Sequence, residues 1–248
     1  MPTRSSRKSS LPEAHDLSLH SARRGALGTP ARRDQRVHVA QFRRHSHELI
    51  AAGYARVRGE AHCESAEDLI TQRIKEEVKA AQREEGLPRW AERYYITDQA
   101  PVSGPDREGI DRPKIDIEVE SSACRSRPVF HFEAKRLRRD RSDSVSEYVG
   151  PTGLGSFLAE WYGRSGDEGG MLGYVQSESP DYWAEAIQRK LQRDPKQTHR
   201  LTRDGGWSAI RLIPALQQTY STQHRRPTLG SVTIYHTLLD FRREEDQR

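Results

Sequence analysis

The sequence predicts an α/β fold in which a mixed β-sheet is flanked by helices. Segments with apolar residues at helical spacing alternate with short runs rich in β-branched and aromatic residues. From about residue 65 the order is helix, three strands, helix, strand and helix, with further strands near the C-terminus. Helices packed on both faces of such a sheet would bury it.

A basic N-terminal arm precedes the predicted domain. Residues 1–35 are rich in Ser, Arg, Pro and Gly and lack sustained periodicity, so we expect a disordered arm. Residues 1–45 contain ten Lys or Arg and three Asp or Glu, whereas the net charge of the whole chain is only +5. The positive charge is therefore concentrated in this arm, which could contact nucleic acid or remain a solvated tail.

Residues 36–248 are predicted to form one domain, with its core at about 60–180 and a C-terminal extension over 181–248. Cys63 and Cys124 form no C-x-x-C pair, so free thiols are favoured over a zinc site or a disulfide. No apolar run approaches the roughly twenty residues that cross a bilayer. The N-terminus has no continuous apolar segment typical of a secretory signal. We expect a cytoplasmic protein without a membrane partner.

Two helices are predicted before the first strand. Over residues 36–57 apolar side chains recur near helical spacing. A second, amphipathic helix is predicted over residues 65–85, where Ser65-x-x-Asp68 resembles a capping box. Its apolar stripe consists of residues at intervals of four: Ile70, Ile74 and Val78. A Gly and a Pro that follow shortly afterwards would end this helix.

Three strands are predicted next. The first covers residues 93–96, and a loop rich in Pro, Gly and Asp over 101–113 separates it from a strand around Asp116. A hydrophilic stretch over 121–127 is typical of a hairpin connection to the third strand, over 129–135. The adjacent strands would therefore lie side by side in the sheet.

The second half of the chain continues the alternation of helices and strands. Helices are predicted over residues 156–162 and 181–193, with a buried strand over 171–175 between them. A final strand is predicted over 232–236, preceded by another over 219–224.

Two of the predicted strands place an acid among apolar residues, in Ile115-Asp116-Ile117 and in Phe132-Glu133-Ala134-Lys135. Buried carboxylates are costly unless they are paired or bound to a cation. Side chains two apart in a strand share a face, so Glu133 and Lys135 point the same way, and Asp116 can join them from the neighbouring strand. This pattern predicts a site for Mg²⁺ and water, which makes phosphodiester hydrolysis the first hypothesis.

A Glu-x-Lys motif is weak evidence when taken alone. Chance predicts roughly half a match in a chain of this composition. A second instance, from Glu77 to Lys79, lies in a predicted helix, where its residues do not share a face. The instance at Glu133 is supported by its strand context and by the acid on the preceding strand.

With these residues the chain resembles the PD-(D/E)xK nuclease superfamily, which has a restriction-endonuclease-like fold with an α-β-β-β-α-β core. The resemblance is carried by Ile115-Asp116, by Glu133-Ala134-Lys135 and by an acid on the preceding helix. It covers about residues 60–180, and Ile115 replaces the usual Pro of the motif. The resemblance implies a metal-dependent nuclease, acting on DNA rather than RNA, in restriction, repair or bacterial defence.

The resemblance also implies a role for each residue of the motif. Asp116 and Glu133, with the carbonyl of Ala134, would bind Mg²⁺ or Mn²⁺, and hard oxygen ligands suit these ions. Lys135 would orient or deprotonate the attacking water and offset phosphate charge. The two carboxylates can share one ion only if they lie within roughly 8 Å of each other, given ligand distances near 2.1 Å.

The acid on the preceding helix has two candidates. We favour Glu67 as a further catalytic residue, because an acid in the first turn suits the helix dipole. Glu77 is the alternative, since it lies three residues after Ile74 and near the same apolar stripe. Glu67 could instead serve only to stabilise the start of the helix.

A run of arginines follows the motif: Arg136, Arg138, Arg139 and Arg141. They could bind the nucleic-acid backbone through its phosphates, or form a solvated charged turn. The competing hypothesis for the whole protein is a non-catalytic subunit that binds nucleic acid or protein in a larger assembly. A protein partner or a homo-oligomer is compatible with either function.

Histidines outside the motif are expected to have structural or surface roles. His45 and His47 are two apart on a predicted helix, do not converge on a metal, and are expected at the surface. His131 should share the sheet face of Glu133, where a structural role is favoured. Ser221 and His224 could suggest nucleophilic chemistry, but neither a third partner nor a nucleophile elbow is visible.

Overall fold

The structure, a computed structural model, describes residues 29–58, 64–84, 86–101, 114–123, 127–161 and 166–243. The chain divides into two units, residues 1–40 and 41–248. Helix α1 (Thr29–Val57) begins seven residues before the predicted start at residue 36, within the stretch expected to be disordered. The rest of the predicted arm lies outside the described residues.

The second unit contains a seven-stranded mixed sheet. Its strands are β1 (Tyr94–Pro101), β2 (Lys114–Ser121), β3 (Val129–Leu137), β4 (Glu168–Val175), β5 (Ser208–Ala209), β6 (Thr219–Arg225) and β7 (Ser231–Asp240). They lie in the order β1-β2-β3-β4-β7-β6-β5. Strand β2 is antiparallel to both of its neighbours, β1 and β3, whereas β4 is parallel to both β3 and β7. The predicted α/β class and mixed sheet are confirmed.

The remaining helices flank this sheet. They are α2 (Glu67–Arg83), α3 (Ser144–Val149), α4 (Leu154–Leu158) and α5 (Pro180–Gln192), and a 3₁₀ turn (Arg89–Arg93) precedes β1. The prediction of one helix over 156–162 was wrong in its bounds, because α4 ends at Leu158, and α3 was not predicted. In the part of the chain that the structure describes, no helix is long and apolar enough to span a membrane.

Helix α2 begins later than its sequence pattern suggested. Its N-cap is Ala66, in extended conformation and without a side-chain hydrogen bond, so the predicted capping box at Ser65 was wrong. The first turn carries two acids, Glu67 and Asp68, which favour the positive end of the helix dipole. Glu67 of this first turn contacts Lys135 of β3, so the start of the helix lies beside the motif.

The two faces of the sheet pack against different helices. On one face, residues of α1 and α2, including Leu49 and Ile74, pack with Phe132 of β3. On the other face, Tyr148 of α3 and Ile187 of α5 belong to a second apolar cluster. Burial of both faces explains why the strands have nearly continuous apolar runs.

Gly170 of β4 permits close packing between β4 and β3, and we expect Gly170→Ala to destabilise the protein. A Cβ at Gly170 would lie 2.2 Å from Cδ1 of Phe132, which is fully buried and cannot move aside. Overpacking of this kind costs about 1–3 kcal/mol, measurable as a lower free energy of unfolding in urea. Gly206→Ala is the control, because a Cβ there has no neighbour within 4 Å. Equal stability of the two variants would contradict this packing.

Candidate active site

The predicted motif lies where β2 and β3 separate. The paired residues of these strands run from Glu120↔Val129 to Ile117↔Phe132, so Asp116 and Glu133 lie just beyond the last pair. There the side chain of Asp116 takes over the role of a backbone acceptor. Its Oδ2 accepts a hydrogen bond of 2.7 Å from the amide of Ala134. The separation of the strands thus brings a carboxylate between them.

Lys135 holds the acids of the site together. Its Nζ donates to Oε1 of Glu133 at 2.7 Å, to Oε1 of Glu67 at 3.1 Å and to the carbonyl of Ala134 at 2.6 Å. Oδ2 of Asp116 lies 3.8 Å from the same nitrogen. The exposed fraction of the Lys135 side chain is only 12%. The structure therefore brings all four predicted catalytic residues into one largely buried cluster, which we call the acid–lysine cluster. Its two strand carboxylates lie within the roughly 8 Å that one ion requires.

Glu67, not Glu77, is the helix acid of the acid–lysine cluster. While one oxygen of Glu67 contacts Lys135, the other accepts a hydrogen bond of 3.0 Å from the amide of Arg136. Glu77 points elsewhere and pairs with Arg56 at 3.4 Å in a partly exposed position. The start of α2 is also anchored to the sheet, because Gln176 donates to the carbonyl of Ser65 at 2.9 Å.

The electrostatics of the cluster are dominated by burial. Burial raises the pKa of Glu133 to about 8, and the negative charge of Asp116 adds to the shift. Burial also raises the pKa of Asp116 and of Glu67, although the Lys135 ammonium opposes it. Burial alone would lower the pKa of Lys135, but the three carboxylates outweigh it and raise that pKa. When all four groups are ionised, the three carboxylates and the one ammonium give the cluster a net charge of −2.

The cluster matches a divalent cation in charge and in ligand chemistry. Oε2 of Glu133 is buried and has no hydrogen-bond donor among the described residues. A proton shared with Asp116 can relieve this, and it contributes to the pKa shifts of both groups. A cation would do so as well, and all the ligands offered are hard oxygens.

The distances in the cluster are those of an ammonium site. Within the described ranges, no group of three or more His, Cys, Asp or Glu side chains is placed to hold a metal ion. The four oxygens lie 2.6 to 3.8 Å from Nζ of Lys135, whereas Mg²⁺ needs ligands at about 2.1 Å. Asp116, Glu133 and the Ala134 carbonyl would have to lie closer together than they do here to hold such an ion.

Gln99 is a site residue that the sequence did not reveal. Its Nε2 donates to Oδ1 of Asp116 at 3.3 Å, so both carboxylate oxygens of Asp116 accept hydrogen bonds. Its φ of 52° places it in the left-handed region, which is unfavourable for a residue other than Gly. No sequence pattern marks a Gln for this role, because it depends on the pairing of β1 with β2.

The predicted arginines do not form one patch around the site. Arg136 lies beside the acid–lysine cluster, with its amide on Glu67 and its guanidinium 3.4 Å from the carbonyl of Ser65. The other three form surface ion pairs, Arg138 with Asp140, Arg139 with Glu178 and Arg141 with Glu147. Such exposed pairs add little to stability, because water screens them, and they can open for another anion.

The prediction that His45 and His47 are surface residues was wrong, because both are buried. His45 bonds the hydroxyl of Tyr94 at 2.7 Å and stacks on Trp90. His47 donates to the carbonyl of Arg43 at 2.8 Å and packs against aromatic rings. Their helical spacing did not reveal that this part of α1 packs against the sheet.

A second chain of buried polar side chains links β6 and β7 to α3. Thr222 Oγ1 bonds Nε2 of His224 and Nε2 of His236, each at 2.7 Å. His236 also contacts the hydroxyl of Tyr148 at 3.2 Å, and His224 contacts the carbonyl of His199 at 2.6 Å. These partners satisfy His224 structurally, and Ser221 takes no part in the chain.

The fold and the site define an α/β protein with a buried acid–lysine cluster where two strands of a mixed sheet separate. No protein family, curated protein or solved structure matches the chain.

Proposed function

We propose that the protein is a metal-dependent nuclease that hydrolyses phosphodiester bonds of DNA, with a restriction-endonuclease-like fold of the PD-(D/E)xK superfamily. The observation that carries the proposal is the acid–lysine cluster. Residues from α2, β2 and β3 converge there, with Lys135 in contact with Glu67 and Glu133 and 3.8 Å from Asp116. Clusters of titratable groups with shifted pKa values are typical of functional sites.

The order of the elements supports the same proposal. Helix α2 is followed by β1, β2 and β3, then by the crossover through α3 and α4 to β4. This order agrees with the α-β-β-β-α-β core that the resemblance implies. Strand β4 is parallel to β3, so a crossover connection is required, and α3 and α4 supply it.

In the proposed reaction the protein supplies oxygen ligands and a fixed positive charge. Asp116, Glu133 and the Ala134 carbonyl would hold Mg²⁺ or Mn²⁺, which polarises the scissile phosphate and stabilises the leaving oxygen when bound. The raised pKa of Lys135 keeps its ammonium charged at neutral pH. Lys135 therefore orients the attacking water and offsets phosphate charge. The proton that the attacking water loses passes to solvent, and the leaving oxygen takes up a proton from solvent.

The proposal is tested by incubating the full-length protein with plasmid DNA and Mg²⁺ or Mn²⁺, with EDTA as the control. We expect cleavage by the wild type and a loss of at least about 10²-fold in Lys135→Ala, because removal of one preorganised charge has effects of this size. Lys75→Ala is a matched control, since Lys75 also forms a partly buried ion pair, with Asp98 at 2.6 Å. Both variants should retain the wild-type circular dichroism spectrum. Full activity of Lys135→Ala would refute the assignment.

A second candidate function is a non-catalytic subunit that binds nucleic acid or protein. It is favoured by one observation: the ammonium of Lys135 already contacts three oxygens and could serve as a purely structural ion pair. Titration calorimetry with Mn²⁺ separates the two functions. A nuclease should bind the ion and lose binding in Asp116→Asn, whereas a structural cluster should bind none.

A further inference from the structure

We infer that the Lys135 ammonium occupies the cation position of the site, and that it must leave these oxygens before a divalent cation can bind there. The inference rests on the proposed function and concerns how the same site is loaded. It makes Lys135 an internal competitor for the metal in addition to its proposed role beside the phosphate.

The contacts of Lys135 are the first argument. Oxygens of Asp116, Glu133 and Ala134 are the ligands proposed for the ion, and Nζ lies 3.8, 2.7 and 2.6 Å from them. Glu67 completes the set at 3.1 Å. An ammonium at the centre of this oxygen set excludes a second cation from the same oxygens.

Burial and charge are the second argument. The side chains of Lys135 and Glu133 are 12% and 5% exposed, so water screens little of the repulsion that two adjacent cations would experience. The ammonium is also an incomplete substitute for a divalent ion. It contacts Oε1 of Glu133 and leaves the buried Oε2 without a donor among the described residues. A doubly charged ion, which can contact both oxygens of Glu133, would therefore satisfy the site better than the ammonium.

The packing allows the ammonium to move without unfolding the site. Asp116 keeps its bonds from Gln99 and the Ala134 amide, and Glu67 keeps its bond from the Arg136 amide, when Nζ leaves. These three contacts fix two carboxylates independently of Lys135. A lysine side chain has a flexible four-carbon stem, so its ammonium can swing away from these oxygens.

The experiment measures Mn²⁺ affinity of the full-length protein by titration calorimetry, without DNA. Lys135→Met removes the ammonium and keeps the apolar stem. We expect this variant to bind Mn²⁺ at least about tenfold more tightly than the wild type. In the wild type only the fraction of molecules whose ammonium has left the site can bind the ion, and the apparent affinity is reduced by that fraction. Lys75→Met, which removes the ammonium paired with Asp98, should match the wild type. Lys135→Met, but not Lys75→Met, should also lose DNA cleavage.

The possible outcomes distinguish the inference from the proposed function. If the wild type binds Mn²⁺ and cleaves DNA but Lys135→Met binds equally or more weakly, the inference is overturned and the nuclease proposal stands. If neither protein binds the ion, both are overturned.

A second measurement uses the wild type alone, so it tests the inference even if Lys135→Met fails to fold. In wild-type protein labelled with ¹⁵N-lysine, the Nζ resonance of Lys135 should shift on Mg²⁺ addition, while that of Lys75 stays constant. An unchanged Lys135 resonance at saturating Mg²⁺ would overturn the inference.

Discussion

Glu133→Gln is expected to abolish DNA cleavage and, at the same time, to stabilise the protein against unfolding at pH 8.5. The amide keeps the size of the side chain but removes a metal-binding charge, so we expect cleavage to fall by about 10³-fold or more. The gain in stability arises because Glu133 is a buried carboxylate beside Asp116, with one oxygen that lacks a donor among the described residues.

The direction of the stability change follows from the pKa of Glu133. Burial, with the charge of Asp116, raises this pKa from its ordinary value of 4.5 to about 8 in the folded protein. The folded state therefore binds more protons than the unfolded state between these values. The contribution of Glu133 to stability is fully present below pH 4.5 and is lost as the pH rises through about 8.

Urea unfolding at pH 5.5 and pH 8.5, in metal-free buffer, measures this effect. Between these values the Glu133 carboxylate should destabilise the wild type relative to Glu133→Gln by about 1–3 kcal/mol, allowing for the weakened contact with Lys135. Glu77→Gln is the control, because Glu77 is a partly exposed acid paired with Arg56. If Glu133→Gln shows the same change with pH as the wild type, the charge on Glu133 does not destabilise the fold.

Much of the fold and of the acid–lysine cluster could be predicted because both depend on local patterns. Strand alternation identified β2 and β3, and helical spacing identified α2. The motif residues met because residues two apart on a strand share a face and adjacent antiparallel strands are neighbours. The choice of Glu67 over Glu77 needed only the position of the helix start relative to β3.

Other features depend on contacts between distant residues and had no local signal. Helix α3 is only six residues long, and the polar and charged residues at its start do not differ in composition from the turn before it. Gln99 acts through its pairing with β2, and the ion pairs of Arg138, Arg139 and Arg141 depend on loop conformation. The buried positions of His45 and His47 depend on how α1 packs, which its polar sequence obscures.

The buried histidines lead to the second prediction with a large expected effect: their contribution to the stability of the protein should be lost steeply between pH 6.5 and pH 4. Burial lowers the pKa of His224 to about 4 and that of His236 well below its ordinary value. Burial lowers the pKa of His47 to about 4 as well. Each of these side chains is therefore neutral when folded and takes up a proton on unfolding in this range.

The hydrogen bonds of the histidine chain explain why the neutral forms are required. His224 donates through Nδ1 to the carbonyl of His199, so its Nε2 must accept from the hydroxyl of Thr222. The same hydroxyl oxygen then accepts from Nε2 of His236, whose Nδ1 accepts from Tyr148. Every donor faces an acceptor, and an added proton on either ring would face the hydroxyl donor of Thr222 or of Tyr148.

The sign and size of the effect follow from these lowered pKa values. Below pH 6.5 the unfolded state binds more protons than the folded state, so stability is present above pH 6.5 and is lost as the pH falls towards 4. For His224 alone, a shift from 6.5 to about 4 corresponds to about 3 kcal/mol.

His224→Gln should be less stable than the wild type at pH 7 but should lose less stability between pH 6.5 and pH 4. Urea unfolding across this range measures both slopes, with the exposed His38→Gln as the control. Because the acid–lysine cluster is the same in all three proteins, its own titration cancels from the comparison. Parallel pH profiles for His224→Gln and the wild type would show that His224 takes up its proton equally in the folded and unfolded states, which would contradict the neutral chain.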